Sequence, residues 1–221
     1  MFTLLPKSHK VSALWVAPLC GLVLAALACS VPAAADGLLL KDDFSDSDSG
    51  WADSNTDPEA TFGYRDGEYV IQVHKAQWIA WTNPDPVETF TNFRAEITVK
   101  DTGGSQEAPL FGLMCHYQDE QNYYYAGFGS DGYYALLKSE NGDDTVLAGD
   151  DISSDIAPGA ESYKLTLECA NGQLILSVND QPIAQASDST FTTGQLGIFV
   201  LTFKDPSADI HFDDLRVFEV K

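Results

Sequence analysis

The chain has 221 residues, 44% of them hydrophobic and 11% aromatic, with 12 basic and 33 acidic side chains for a net charge of −21. A surface that acidic repels phosphate, which argues against nucleic acid and anionic lipid headgroups as docking partners. The acids are scattered rather than blocked, so no disordered acidic tail is indicated.

The first element is an apolar run from Val11 to Ala28, entered through Lys7 and Lys10, the layout of an export signal. Ala25-Ala26-Leu27-Ala28-Cys29 resembles a bacterial lipobox, which implies Cys29 as the lipid-modified first residue of the mature protein. On that reading residues 1–28 are the signal, 29–37 a short tether and 38–221 the exported domain. The tether reaches only about 25 Å at full extension, and the lipid is the sole membrane attachment. Two rival readings stay open. Ala33-Ala34-Ala35 is an acceptable site for ordinary signal peptidase, giving a secreted protein, and an uncut run would be an anchor near the lower length limit for spanning. All acids lie after Cys29, so ten basic residues then face 33 acidic ones. The expected address is the cell envelope, with secretion the alternative.

Beyond Cys29 helical periodicity is absent, and short alternating runs rich in Tyr, Phe, Val, Ile and Thr replace it. Strands are predicted over Leu38 to Phe44, Thr61 to Arg65, Glu68 to Val73, Gln77 to Thr82, Asn92 to Lys100, Leu110 to Gln118 and Tyr123 to Phe128. The series continues with Tyr133 to Ser139, Thr145 to Ala148, Tyr163 to Cys169, Gln173 to Val178, Ile183 to Ala186, Leu196 to Phe203 and Asp209 to Glu219. Asp66-Gly67, Asp131-Gly132, Asn141-Gly142 and Asn171-Gly172 supply the positive φ angles of tight hairpins, and Asn179-Asp180 reads as another reversal. Some fourteen strands without helices in one domain mean two sheets packed face to face or a closed barrel. The stretches 46–59, 83–89, 103–108 and 149–160 are short enough to be loops, so no internal boundary is drawn.

With Cys20 in the signal and Cys29 the lipid site, Cys115 and Cys169 remain, and two thiols in an oxidising compartment pair. Phe111, Leu113, Cys115 and Tyr117 alternate on one face of their strand, and Tyr163, Leu165, Leu167 and Cys169 on one face of theirs. Both sulfurs therefore point with apolar neighbours toward a shared interior. Closing so long a loop contributes roughly 4 kcal/mol in the chain-entropy model. Two separate buried thiols are the alternative; no cysteine or histidine pair accompanies them at zinc-ligand spacing.

Asp42-Asp43-Phe44-Ser45 with Gly50-Trp51, then Tyr64-Arg65-Asp66-Gly67-Glu68-Tyr69 and Phe93-Arg94-Ala95-Glu96, resemble the concanavalin A-like lectin/glucanase jelly rolls. Phe111-Gly112-Leu113-Met114-Cys115, Asp131-Gly132-Tyr133-Tyr134, Leu174 to Asp180 and Phe212-Asp213-Asp214-Leu215 extend the likeness from about Leu38 to Glu219. The resemblance implies an all-β, two-sheet antiparallel jelly-roll sandwich. Its relatives include laminin-G-like binding modules, family 16 glucanases and 3-keto-disaccharide hydrolases, so fold alone does not choose a function.

The candidate chemistry is thin. Glycoside cleavage needs two carboxylates flanking the bond, and the Glu-x-Asp-x-Glu strand of family 16 glucanases is absent. Asp119-Glu120, Asp143-Asp144 and Asp150-Asp151 are adjacent pairs in predicted turns, and Asp209 and Asp213 share a strand face across His211. No Gly-x-Ser-x-Gly elbow accompanies His74, His116 or His211. His116 is placed opposite Cys115, on an outward sheet surface, and is a candidate ligand contact. Aromatic residues carry the better case, because sugar C–H faces pack on them, although sandwich cores are built from the same residues. Trp78 and Trp81 differ in parity, so one faces the core and the other solvent; the same rule separates Tyr123 and Tyr125 from Tyr124, and Tyr133 from Tyr134. Trp51, in an Asp/Ser-rich loop, is expected to plug the sheet end. No organic cofactor is expected; the resemblance allows a structural calcium on Asp43, Asp213 or Asp214 if the terminal strands adjoin. The expected function is a non-catalytic module for a glycan or oligosaccharide, using Trp78, Trp81, His116, Tyr123 and Tyr125. An enzyme on modified sugars and a structural or protein-binding envelope module are the alternatives.

Overall fold

The computed structural model describes residues 37–103 and 107–221; the export segment, Cys29 and the tether before Gly37 lie outside those residues. No helix occurs among the described residues. In chain order the strands are β1 (Leu38–Asp42), β2 (Ala60–Arg65), β3 (Glu68–Val73), β4 (Trp78–Thr82), β5 (Phe93–Asp101), β6 (Leu110–Asp119) and β7 (Asn122–Phe128). They continue as β8 (Tyr133–Glu140), β9 (Asp143–Ile152), β10 (Tyr163–Ala170), β11 (Gln173–Val178), β12 (Gln181–Ser187), β13 (Gln195–Thr202) and β14 (Ala208–Glu219).

They form two antiparallel sheets. An eight-stranded sheet runs β12-β11-β10-β5-β14-β3-β2, with β1 pairing the end of β14, and a six-stranded sheet runs β4-β13-β6-β7-β8-β9. This is the two-sheet jelly-roll sandwich that the resemblance implies, and it settles the strand pattern's choice between sandwich and closed barrel.

Alternation decides which side chains meet between the sheets. Phe93, Ala95, Ile97 and Val99 of β5 are buried while Arg94, Glu96, Thr98 and Lys100 between them are partly exposed. Phe111 and Leu113 of β6, Tyr124, Ala126 and Phe128 of β7, and Leu165 and Leu167 of β10 join them in one core. Burying each large apolar side chain contributes about 1.5–3 kcal/mol, which is what holds two otherwise separate sheets together. Cys115 of β6 and Cys169 of β10 form a disulfide across that core, one sulfur from each sheet. Trp51 does plug the sheet end: it is 5% exposed, sits edge-on to Phe44 and donates its indole N–H to Asp42 Oδ2 at 2.9 Å.

The turn chemistry holds at Asp66-Gly67, Asn141-Gly142 and Asn171-Gly172, where both residues have positive φ, and at Asn179-Asp180. At Asp131-Gly132 only Gly132 does so, because the β7–β8 connection is wider and closes through Gly129 N donating to Tyr133 O. The strand predicted over Thr145 to Ala148 is longer, and Asp143, Asp144, Asp150 and Asp151 lie in β9 rather than in turns. β9 is an edge strand, and register shifts against β8 near Gly149 break the alternation that would have revealed it. Gly112 of β6 faces Gly127 of β7, where a Cβ on either would lie 2.1 Å or 2.2 Å from the opposing backbone carbonyl oxygen.

Candidate functional site

The outer faces of the two sheets differ in chemistry. On the six-stranded sheet, β-pairing aligns Trp81 with Phe199, Met114 with Tyr125 and then Leu137, and Tyr123 with Ser139. Leu110, Met114, Tyr123, Tyr125 and Phe199 form a second apolar cluster there, with Ile79, Trp81, Tyr117, Tyr133, Leu137, Leu201 and Phe203 packed around it. The rings touch in series. Tyr117 stacks on Tyr123 at 5.7 Å, Tyr123 meets Tyr125 at 5.5 Å, and Tyr125 is edge-on to Phe199 at 5.5 Å. Tyr133 meets Phe203 edge-on at 5.8 Å.

Tyr123 and Tyr125 therefore face outward, as their parity requires, yet they are only 5% and 4% exposed because neighbouring rings lean over them. They make the floor. The partly exposed Trp81, Tyr117, Tyr133 and Phe203 present the contact surface. Trp81 and Tyr117 both pack against the same apolar cluster from opposite sides of β13. Burial pushes the phenols of Tyr117 and Tyr123 up, and that of Tyr133 up to about 12 with help from Asp150, so all three remain neutral donors. Trp78 has the opposite parity: it packs against the main core, and Lys75 Nζ caps its ring at 3.6 Å.

His116 is not on the outward surface that alternation assigns to it. A register shift after Cys115 and a φ of 50° turn it into the interior, where it is 4% exposed between Phe93 and Tyr124. Gly194 makes room, since a Cβ there would lie 2.4 Å from the His116 carbonyl carbon. Both ring nitrogens face backbone carbonyls, Nδ1 at 3.0 Å from Phe191 O and Nε2 at 2.8 Å from Thr91 O. His116 lines a cleft with Asn92, Asn171 and Asp188, and whichever ring nitrogen carries the proton donates to a backbone carbonyl, so the ring ties down a loop rather than reaching for a ligand.

The outer face of the eight-stranded sheet is an ionic lattice. His211 of β14 sits between Glu68 (Nδ1–Oε2 2.6 Å) and Asp209 (Nε2–Oδ1 3.2 Å). Lys100 pairs with Glu68, and Gln72 donates to Asp209 Oδ2 at 2.8 Å. Sequence inspection did not join Glu68 to His211, because only the β3–β14 pairing brings them together across 143 positions. Each carboxylate is already engaged by a cation or amide, so the group ties β3, β5 and β14 rather than offering a free base.

The terminal strands β1 and β14 do adjoin. Asp43 accepts hydrogen bonds from the Ser45 hydroxyl and amide, Asp214 contacts Arg216 at 3.4 Å, and burial raises the Asp213 carboxyl. Among the described residues no group of three or more His, Cys, Asp or Glu side chains assembles into a metal cage.

No known family's sequence model matches the chain, and no curated protein matches it. Solved structures do. The carbohydrate-binding module CBM66 from Bacillus subtilis superposes with a TM-score of 0.60 at 20% identity, over 77% of this chain and 96% of that one. A protein of unknown function with a galectin-like fold, also from Bacillus subtilis, gives 0.61 at 14% identity, over 83% and 96%. The catalytic domain of an endo-1,3-beta-glucanase (laminarinase) from Thermotoga petrophila RKU-1 gives 0.57 at 11% identity, over 84% and 98%. What the chain shares with these proteins is its fold, the concanavalin A-like jelly roll.

Proposed function

We propose that this chain is an exported, non-catalytic binding module that holds a glycan on the outer face of its six-stranded sheet. The observation that carries the reading is the ring series on that face, Trp81–Tyr117–Tyr123–Tyr125–Phe199 with Tyr133 and Phe203 beside it. A solvent-facing side of a sheet needs no aromatic layer for folding. A flat apolar surface edged by hydroxyls matches a sugar ring, which offers C–H faces and hydroxyls together. The sandwich shared with a carbohydrate-binding module supports the reading, and the disulfide supports export, since such bonds persist in oxidising compartments. Attachment to the envelope through Cys29 belongs to the same proposal.

A glycan array with the purified protein tests it. Binding that falls at least tenfold in Trp81→Ala and Tyr133→Ala, and survives Trp78→Ala in protein that remains folded, is the expected result. Failure to bind any glycan, or equal loss in all three variants, would overturn it.

A further inference from the structure

The six strands of the aromatic sheet carry one Lys or Arg, Lys138, against the carboxylates Asp119, Glu140, Asp143, Asp144, Asp150 and Asp151. Lys138 does not serve the outer face. It shares parity with core-facing Leu136, and its ammonium lies 3.0 Å from Glu140 and 3.2 Å from Asp188. Lys204, just past β13 at the Phe203 end, donates its backbone amide to Glu107 Oε2 at 2.7 Å, so a carboxylate stands beside that lysine too.

Glu140, Asp143 and Asp151 share the parity of Lys138 or pair with residues that do, whereas Asp144, Asp150 and Asp119 are set against the rings. Asp144 pairs with Ser139 in the row of Tyr123, and its charge bears on both Tyr123 and Tyr125. Tyr133 donates its hydroxyl to Asp150 at 3.0 Å. Asp119, which ends β6, and Glu120 in the turn after it act on Tyr117. The π-face of an aromatic ring is itself the negative pole of its quadrupole, so rings and rim favour the same sign of ligand charge. A neutral sugar leaves that potential unused, and a uronic or sulfated one is repelled by it.

We propose that this face takes a glycan bearing free protonated amines, a polymer of hexosamine without its acetyl groups. The ammonium groups meet Asp144 and Asp150 while sugar C–H faces lie on Trp81, Tyr117 and Tyr133. The proposal rests on the glycan-binding reading above and adds the chemical class of the ligand.

The test is calorimetric titration of the full-length chain in detergent with a glucosamine hexamer and with the same hexamer N-acetylated, at low and high salt. The free-amine hexamer is expected to bind at least about tenfold more tightly, with the gap closing in high salt. In Asp144→Asn/Asp150→Asn the gap should also close. Both carboxylates are exposed, so that variant keeps its fold. Equal affinities in the wild-type protein, or an unchanged gap in the double variant, would overturn the amine assignment and leave the glycan reading standing. Binding of neither hexamer, together with a blank glycan array, would remove both.

Discussion

Cys115 and Cys169 stand opposite each other across the core with Cα atoms 6.6 Å apart, and their bond is a covalent link between the two sheets. Within each sheet the strands are joined by hydrogen-bonded ladders. With 54 positions between the cysteines, the link removes about 4 kcal/mol of loop entropy from the unfolded chain. Cys115→Ser/Cys169→Ser is expected to lose about that much stability in urea titration. Loss below about 1 kcal/mol would mean that packing alone holds the sheets together.

His116 predicts an acid-sensitive strap. Burial draws its pKa below the usual 6.5, against the pull of the two carbonyls. A folded-state value below the unfolded one means the unfolded chain takes up the proton first. Stability is therefore full above about pH 6.5 and is lost as pH falls through the folded-state value. The melting temperature of the wild type minus that of His116→Asn should shrink from pH 7 toward pH 5; a difference that grows on acidification would reverse the assignment.

Asp188 acts lower on the pH scale. Burial alone would raise its pKa, but hydrogen bonds from Tyr124, Thr190 and Lys138 outweigh that and hold it at about 2. Its contribution is present above the ordinary carboxylate value near 4 and disappears as pH falls toward 2. Asp188→Asn should melt below the wild type at pH 7 and converge with it near pH 2. Parallel curves across that range would show the bonds to be interchangeable with an amide's.

Gly127→Ala tests the pairing of β6 with β7. The added methyl would sit 2.2 Å from Phe111 O, which is backbone and cannot step aside without breaking the ladder. The variant should lose several kcal/mol or fail to fold, whereas Gly67→Ala, in open space at a turn, should cost only the strain of its φ of 83°. Similar losses at the two positions would remove the steric argument.

Much of this architecture is legible in the sequence because alternation and turn dipeptides act locally. The opposite parities of Trp78 and Trp81, and the shared inward direction of Cys115 and Cys169, follow from counting along single strands. What counting misses is whatever depends on a bulge or on a neighbouring strand. His116 turns inward because β6 gains one residue against β13 and two against β7, and β9 hides because its alternation slips near Gly149. Tyr123 and Tyr125 were assignable to a face but not to a depth, since their cover comes from Tyr117 and Phe199 on other strands. The Glu68–His211 contact likewise exists only through strand pairing.

The bulged, acidic rim strand β9 also governs how copies of this protein tolerate crowding. An unpaired rim is a template on which another chain can add its own backbone, the first step toward fibres. Here four aspartates and the kink at Gly149 spoil that template: an incoming copy would bring the same four negative charges to it. Molecules concentrated at a surface can thus stand shoulder to shoulder without zipping into one another.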